Sequence, residues 1–268
     1  MAELPSITVV TPTFNAAATI EETLASIALQ DYPRLDHVVI DGGSTDGTLA
    51  ILEREAAAGT LRFISEPDDG LSDAFNKGVA MATGGWIGWL NADDLYEPGA
   101  LVAIGEAIAV DGEGREWATG RCKIIGGDGG ESRLAVTKYK NWLLRHYSLG
   151  LYLTNNFISS PSTFFRRDVV DELGGALDTR FSYSADYDLW LRLARRGAPL
   201  IVDADVARFR MADDSLSITG FEQQFVEHAQ NARENGSGFP VSVAVNRVMS
   251  RLIVLVYRSI MWSRRLRR

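Results

Sequence analysis

Trp86-Ile-Gly-Trp-Leu90 runs directly into Asn91-Ala-Asp-Asp94. The first five residues are apolar or small, the composition of a central strand covered on both faces, and the next four are mostly polar. A buried strand that ends in acids puts carboxylates at the rim of a sheet, so the neighbours of this strand decide the fold. Upstream, Ile7–Val10, His37–Ile40 and Leu61–Ser65 read as strands, alternating with helical patterns over 16–29, 46–57 and 71–82. This βαβαβαβ order predicts an α/β fold: a mainly parallel, Rossmann-like sheet flanked by helices with right-handed crossovers. Ligands of such sheets sit beyond the carboxyl ends of the strands. The polar stretches Thr11–Asn15, Asp41–Asp46, Glu66–Gly70 and Asn91–Asp94 all fall there.

Downstream the pattern is less regular. Gly126–Gly130 reads as a turn or loop, Pro161–Arg166 and Leu200–Val206 as strands. Asp186–Arg196 reads as a helix ended by Gly197 and Pro199. Phe221–Glu234 and Ser242–Arg267 are helical patterns. The expected organisation is one sheet domain over 1–217, with a first half to about 110 and a second to 217. A helical extension follows over 218–268.

With 46% hydrophobic residues and a mean hydropathy near zero, the 268-residue chain is globular; disorder, collagen and disulfide scaffolds are excluded. Cys122 is the single cysteine, so a reducing cytoplasm is the expected compartment. Met1–Asn15 lacks a basic stretch followed by a long apolar run, and no signal peptide is expected. Residues 241–268 hold seven arginines and no acid; with a net charge of −8 overall, the rest of the chain carries −15. An acidic body speaks against nucleic acid as a partner. Arg247, Arg251 and Arg258 share one helical face, and the others carry Val243, Leu252, Ile253, Val256 and Ile260. The longest stretch there without charge or strong polarity, Leu252–Tyr257, is too short to span a bilayer, so an anionic membrane surface is the expected partner. Packing on the chain's own domain or on a second copy in a homodimer uses the same amphipathicity and stays open.

Several residue types carry chemistry at their positions. Asp41 closes a strand and is suited to accept from a nucleobase N–H, with Gly42 and Gly43 letting the chain turn where a ligand approaches. A turn cap is the other reading of Asp41, although Asp46 before Gly47-Thr48 fits that role better. Asp93 and Asp94, side by side after a buried strand, are an electrostatic cost that a divalent cation bridging two phosphates relieves. A helix cap before Pro98 is the alternative. Asp69, Asp73, Asn76 and Lys77 border the helix after Gly70; Asp69 also suits the turn itself, and Lys77 suits either phosphates or solvent. On the 186–196 helix, Asp188 aligns with Arg192 at the i+4 spacing of a surface ion pair. Asp186 stands at the helix start beside the apolar face, positioned either as an N-cap or as a base for a hydroxyl proton.

Thr11-Pro-Thr-Phe-Asn15, Val39–Thr48, Asn76-Lys-Gly78, Leu90–Asp94 and Asp186-Tyr-Asp-Leu-Trp190 together resemble family 2 glycosyltransferases of the GT-A fold, in order and with similar spacing over about 6–217. Ser65–Gly78 is similar to a bacterial subgroup that builds surface polysaccharides and glycolipids. The resemblance implies an inverting transfer from a nucleotide-diphosphate sugar to a glycan or lipid-linked hydroxyl acceptor. It makes Asp186 the catalytic base and places Asp93 on Mg²⁺ or Mn²⁺. It assigns the donor to Pro12, Thr13, Phe14, Asn15, Asp41, Gly43, Asp69, Asp73, Asn76, Lys77, Asn91 and Asp94, with Arg210 on a phosphate. The sequence departs from the pattern at four points. Asn91 replaces the first acid of the metal motif, Phe75 an arginine, Ala185 a glutamate and Ala212 a histidine. Those departures keep open an inactive nucleotide-sugar-binding protein. A sugar nucleotidyltransferase is disfavoured because Thr11–Ala18 contains no basic residue. Pro161–Phe165 resembles an acceptor-side strand, and His37, His146 and His228 match no motif, His37 reading as an ordinary surface residue. The expected location is cytoplasmic, peripheral on the inner face of the plasma membrane.

Overall fold

The computed structural model describes residues 3–211 and 220–265. One sheet of eight strands runs through it. In chain order they are β1 (Ile7–Thr13), β2 (Leu35–Asp41), β3 (Arg62–Ser65), β4 (Trp86–Trp89), β5 (Leu95–Tyr96), β6 (Trp117–Ile125), β7 (Thr163–Arg166) and β8 (Leu200–Arg210). Their order across the sheet is β3-β2-β1-β4-β7-β6-β8-β5. The first four strands are parallel, connected through α1 (Ile20–Ala28), α2 (Thr48–Ala57) and α3 (Leu71–Met81), as the alternating pattern predicts. Beyond β4 the sheet is mixed: β7 runs antiparallel to both β4 and β6, and β8 is parallel to β6.

The burial explains why these residues form these strands. All seven residues of β1 and all four of β4 are buried, because helices cover both faces. Gly78 on α3 faces Val10 so closely that a Cβ there would collide with it, which fixes how near α3 lies to the sheet. Phe75, where the family pattern has an arginine, is fully buried and stacks on Trp89 with ring centroids 4.4 Å apart. A side chain of that size contributes roughly 1.5–3 kcal/mol on burial, so the position serves the core. Trp86, Trp89 and Trp190 are core residues as their sequence context predicts.

The sequence reading missed β5, β6, α4 (Ala100–Asp111) and α5 (Leu134–Arg145). Short α6 (Leu149–Tyr152) and α7 (Val169–Glu172) flank β7, followed by α8 (Ala185–Arg196). Gly126–Gly130 forms a turn closed by the Gly126 N–H donating to the Gly130 carbonyl. His37 is a correction: it lies inside β2, buried, 3.0 Å from Thr11 Oγ1, and burial pushes its pKa down to about 4.

The C-terminal helices α9 (Phe221–Asn235) and α10 (Pro240–Arg265) form a pair that packs on α8. The expected boundary at 217/218, and Ala212 with it, lies outside the described residues. On α10, Asn246 and Ser250 are buried, and Asn246 Nδ2 donates to the Leu153 carbonyl at 3.0 Å. Packing on the chain's own domain therefore accounts for one face of this helix. Val241, Val248, Leu252, Leu255 and Val256 remain exposed on it, beside Arg247 and Arg251. Among the described residues, no helix is long and apolar enough to cross a membrane.

Candidate active site

The loops after β1 and β2 are knitted together. Asn15, at φ 49°, donates its N–H to Ser44 Oγ at 2.7 Å and accepts from the Thr45 N–H at 2.9 Å. Asp46 accepts from the Ala17 N–H and from both the N–H and hydroxyl of Thr48, the capping role read from the sequence. Asp41 is fully buried at the end of β2; Ser65 Oγ donates to it at 2.6 Å, and the Ser44 hydroxyl and N–H also point to it. Thr13 pairs with Asp41 across the strands, and its hydroxyl is buried with no hydrogen-bond partner among the described residues. An orphaned hydroxyl beside a buried carboxylate marks a place for a polar ligand atom. Phe14 is 63% exposed above it. A Cβ on Gly42 would lie 2.7 Å from the Asp68 carboxylate and 3.3 Å from the Phe14 ring, so glycine keeps a slot open there. Gly43, at φ 83°, makes the turn. Asp68 bordering this slot was not singled out in the sequence; the Pro-Asp-Asp-Gly run offers no local sign of which acid turns inward.

The loop around α3 is held by charge. Lys77 pairs with Glu66 at 2.9 Å and Asp73 at 3.2 Å, and Asp73 also accepts from the Asp69 N–H. These contacts hold the Asp73 carboxyl below the usual range, the Asp69 N–H first and Lys77 next. Asn76 is a bridge: its amide exchanges two hydrogen bonds with the backbone of Leu177, 2.8 and 2.9 Å long. It ties the two halves together from the floor of the site.

At the end of β4, Trp89 Nε1 donates to Asn91 Oδ1 at 2.7 Å, and Asn91 Nδ2 donates to Asp94 Oδ2 at 3.1 Å. Asp94 is fully buried, Asp93 half-buried. Burial first, and the Asp93 charge second, push the Asp94 carboxyl well above its ordinary value. Arg210 is placed beneath this turn. Its N–H donates to Asp94 Oδ1 at 2.8 Å and its Nε to the Asp93 carbonyl at 2.8 Å. The rest of the guanidinium reaches the Gly127 carbonyl and Glu22. The structure thus gives Arg210 a bracing position under the acids, with its guanidinium occupied by protein groups.

A cation fits this turn by its chemistry. Two adjacent carboxylates, one of them burdened by the other's charge, supply hard oxygens and an electrostatic need. Among the described residues no three His, Cys, Asp or Glu side chains gather as a closed metal cage. That suits an ion held chiefly by one or two carboxylates and by substrate phosphates.

Asp186 sits in the first turn of α8. Its Oδ1 accepts from the Tyr187 N–H at 2.7 Å, its Oδ2 from Ser160 Oγ at 2.9 Å, and the Asn156 amide also bonds to it. Burial nevertheless outweighs these donors and raises its pKa above the ordinary aspartate value. A carboxylate poised in this way suits proton abstraction. Asp188 pairs with Arg192 at 2.7 Å as the spacing predicts, but Asp188 is buried and Arg192 half-buried, so this is not an open surface pair. Arg192 also donates to the carbonyls of Leu173, Gly175 and Ala176, so it clamps the loop before α8.

The support of Asp186 from α9 was invisible in the sequence. Buried Glu227 accepts from the N–H groups of Ser182 and Tyr183, at 3.3 and 2.9 Å, and from the Ser184 hydroxyl. Asn231 donates to the Ser184 carbonyl at 3.0 Å. Together they fix the three residues that lead into α8. Lys140 on α5, also missed, donates to Ser159 Oγ at 3.0 Å, next to the Ser160 that serves Asp186. Buried His228 on α9 lies edge-on to Tyr187, with burial pushing its pKa down to about 3.

Known proteins resemble this chain in sequence and fold. The family model described as glycosyl transferase family 2 matches residues 8–174. An uncharacterized glycosyltransferase of Mycobacterium tuberculosis is 29% identical over 212 residues, 78% of this chain and 76% of that protein. A PGL/p-HBAD biosynthesis glycosyltransferase of Mycobacterium bovis is 30% identical over 199 residues, 70% of this chain and 69% of that one. Among solved structures, a mannosyltransferase of Pyrobaculum calidifontis in complex with GDP-Man and Mn²⁺ superimposes with a TM-score of 0.66 at 21% identity, over 96% of this chain and 81% of the other. Staphylococcus aureus TarS 1-349 in complex with UDP-GlcNAc gives 0.59 at 18% identity, over 84% and 66%. The chain spans 39% of the longer S. aureus TarS structure. These likenesses, over the sheet edge that carries the loops just described, show that the chain belongs to glycosyl transferase family 2 and has its GT-A fold.

Proposed function

We propose that this protein is a metal-dependent, inverting glycosyltransferase that moves a sugar from a nucleoside-diphosphate donor to a hydroxyl acceptor. The observation that carries this reading is Asp186, a half-buried carboxylate with its pKa raised by burial, held by three protein donors. The base of the donor fits the slot between Phe14 and Asp68, stacking on the exposed ring and meeting Asp41 and the free hydroxyl of Thr13. Its phosphates fit the acidic turn, where Asp93, backed by Asp94, would hold Mg²⁺ or Mn²⁺. Such an ion supplies neutralisation of the leaving diphosphate's charge. The acceptor hydroxyl meets Asp186, which takes its proton as the oxygen attacks the anomeric carbon opposite the nucleotide. Positioning and charge stabilisation supply most of the rate, with no covalent enzyme intermediate.

A lipid-linked or growing surface glycan is the acceptor class favoured by the exposed apolar and basic residues of α10 and by the relative whose name places it in PGL/p-HBAD biosynthesis. The same helix suits peripheral attachment to an anionic cytoplasmic membrane face. Co-flotation with phosphatidylglycerol vesicles, lost on Arg247→Glu with Arg251→Glu, is the expected sign; flotation that ignores these changes contradicts it. The reaction itself is tested by incubating the protein with Mn²⁺ and a panel of UDP-, GDP- and dTDP-sugars, followed by mass spectrometry. Turnover of one donor class, by transfer or slow hydrolysis, is expected. Binding without turnover of any donor, in the presence of extracted membrane lipids, would favour the inactive sugar-nucleotide binder.

A further inference from the structure

Lys140 on α5 is half-buried and, among the described residues, makes one hydrogen bond, to Ser159 Oγ at 3.0 Å. An ammonium has three donors. Among the described residues no carboxylate forms an ion pair with it, whereas Lys77 and Lys123 each pair with two or more. Burial pulls its pKa below the ordinary lysine value, the sign of a charge short of compensation.

Its surroundings locate it. Ser159 and Ser160 are consecutive; the first accepts from Lys140 and the second donates to Asp186 at 2.9 Å. The Cys122 thiol on β6 feels the charges of both Lys140 and Asp94. Lys140 therefore lies beside the serine pair that serves the candidate base, on the side of β6. The titratable groups that face it are Cys122 from β6, Asp186 from α8 and His228 from α9.

In the transfer reaction proposed above, on which this inference rests, the acceptor arrives neutral and gives its proton to Asp186. The negative charge that grows between Asp186 and the acidic turn is on the donor phosphate. We propose that Lys140 is a catalytic residue whose ammonium contacts the sugar-bearing phosphate and neutralises the oxygen released when its bond to the sugar breaks. The acceptor oxygen forms the new bond to the anomeric carbon, the electron pair of the broken bond stays on the phosphate oxygen, and Lys140 keeps all its protons. The sequence offered no signal for this residue, because α5 brings it to the site from outside every recognised motif.

The test compares nucleoside mono- and diphosphates of uridine, guanosine and thymidine, bound with Mn²⁺ and measured by calorimetry. Lys140→Met is the main variant, since it keeps the length of the side chain and removes a half-buried charge. It should bind the diphosphate about tenfold or more weakly, the scale of a lost charged hydrogen bond, and the monophosphate about as well as the parent. Lys140→Arg should stay within about threefold of the parent for both, because charge and reach are kept. An unchanged diphosphate affinity in Lys140→Met, or an equal loss for both nucleotides, overturns the role. If the parent protein binds none of these nucleotides, the donor reading itself fails, a result distinct from a variant that matches a binding parent. Should Lys140→Met not fold, Lys140→Gln is measured against the same outcomes.

Discussion

From β1 to β4 the strands are parallel and joined in turn by α1, α2 and α3, so the loops at their ends come from strands that neighbour one another in the sheet. Asn15 meets Ser44 and Thr45; Asn91 meets Asp94 three residues on. From β5 onward the sheet is mixed, and the site is held over long separations. Glu227 holds Ser182–Ser184 from another helix, and Arg210 braces Asp93 and Asp94 while pairing with Glu22 near the start of the chain. The first region is a preformed cradle and the second an assembled one. On the proposed function, the nucleotide end of the donor rests on loops of adjacent strands, the acidic turn leans also on Arg210 from β8, and proton abstraction at Asp186 depends on the packing of α8 against α9 and α10.

On that division, damage to the packing around α8 should remove turnover and leave nucleotide binding in place. The largest effect is expected for Asp186→Asn, which lowers transfer by about two to four orders of magnitude, the scale of general-base loss. Its nucleotide affinity should stay within a few-fold by calorimetry. Asp188→Asn, which breaks the buried pair with Arg192, should instead lower the melting temperature and lower turnover less. If Asp188→Asn proved more damaging to turnover in folded protein, the assignment of the base would be reversed.

A medium effect is expected for Glu227→Ala. It leaves the Ser182 and Tyr183 N–H groups without their acceptor, at about 1–3 kcal/mol of stability. Transfer should fall roughly tenfold, the scale of a misplaced group, with nucleotide affinity unchanged. A fall in nucleotide affinity that matches the fall in transfer would show that the two regions are not separable.

The smallest effect is a shift along the pH axis. Burial raises the Asp186 pKa, and the base must be ionised to act, so turnover should rise with pH through a value above the ordinary aspartate range of about 3.9. A transfer profile whose acid limb falls at or below the ordinary value would contradict the burial of the base.

The same division governs what could be read from the sequence. Asp41, Asp46, Gly43 and the Asp93–Asp94 pair are legible because their surroundings are local: a strand end, a glycine turn, an adjacent acid. The parallel strands follow from apolar runs, and the separation of Asp186 from the Asp188–Arg192 pair follows from helix phase. Lys140 and Glu227 were not legible, since neither lies near a motif and each acquires its role from a partner brought up by folding. The loss of His37 to the core has a similar cause. Its partner Thr11 lies on the neighbouring strand, and a histidine beside a β-branched run gives no sign of which way it faces. Asn76 sits within a recognised motif, yet its grip on Leu177 joins residues 101 apart.

The proposed reaction requires the acidic turn after β4 to bind a donor diphosphate through a divalent ion. It is tested most directly by the melting temperature of the parent protein and Asp93→Ala with UDP, GDP or dTDP, each in Mn²⁺ and in EDTA. The account predicts a diphosphate-dependent rise in the parent that is larger with Mn²⁺, and no difference between Mn²⁺ and EDTA in Asp93→Ala. Equal rises in Mn²⁺ and EDTA for the parent, or a metal-dependent rise that survives in Asp93→Ala, would contradict it.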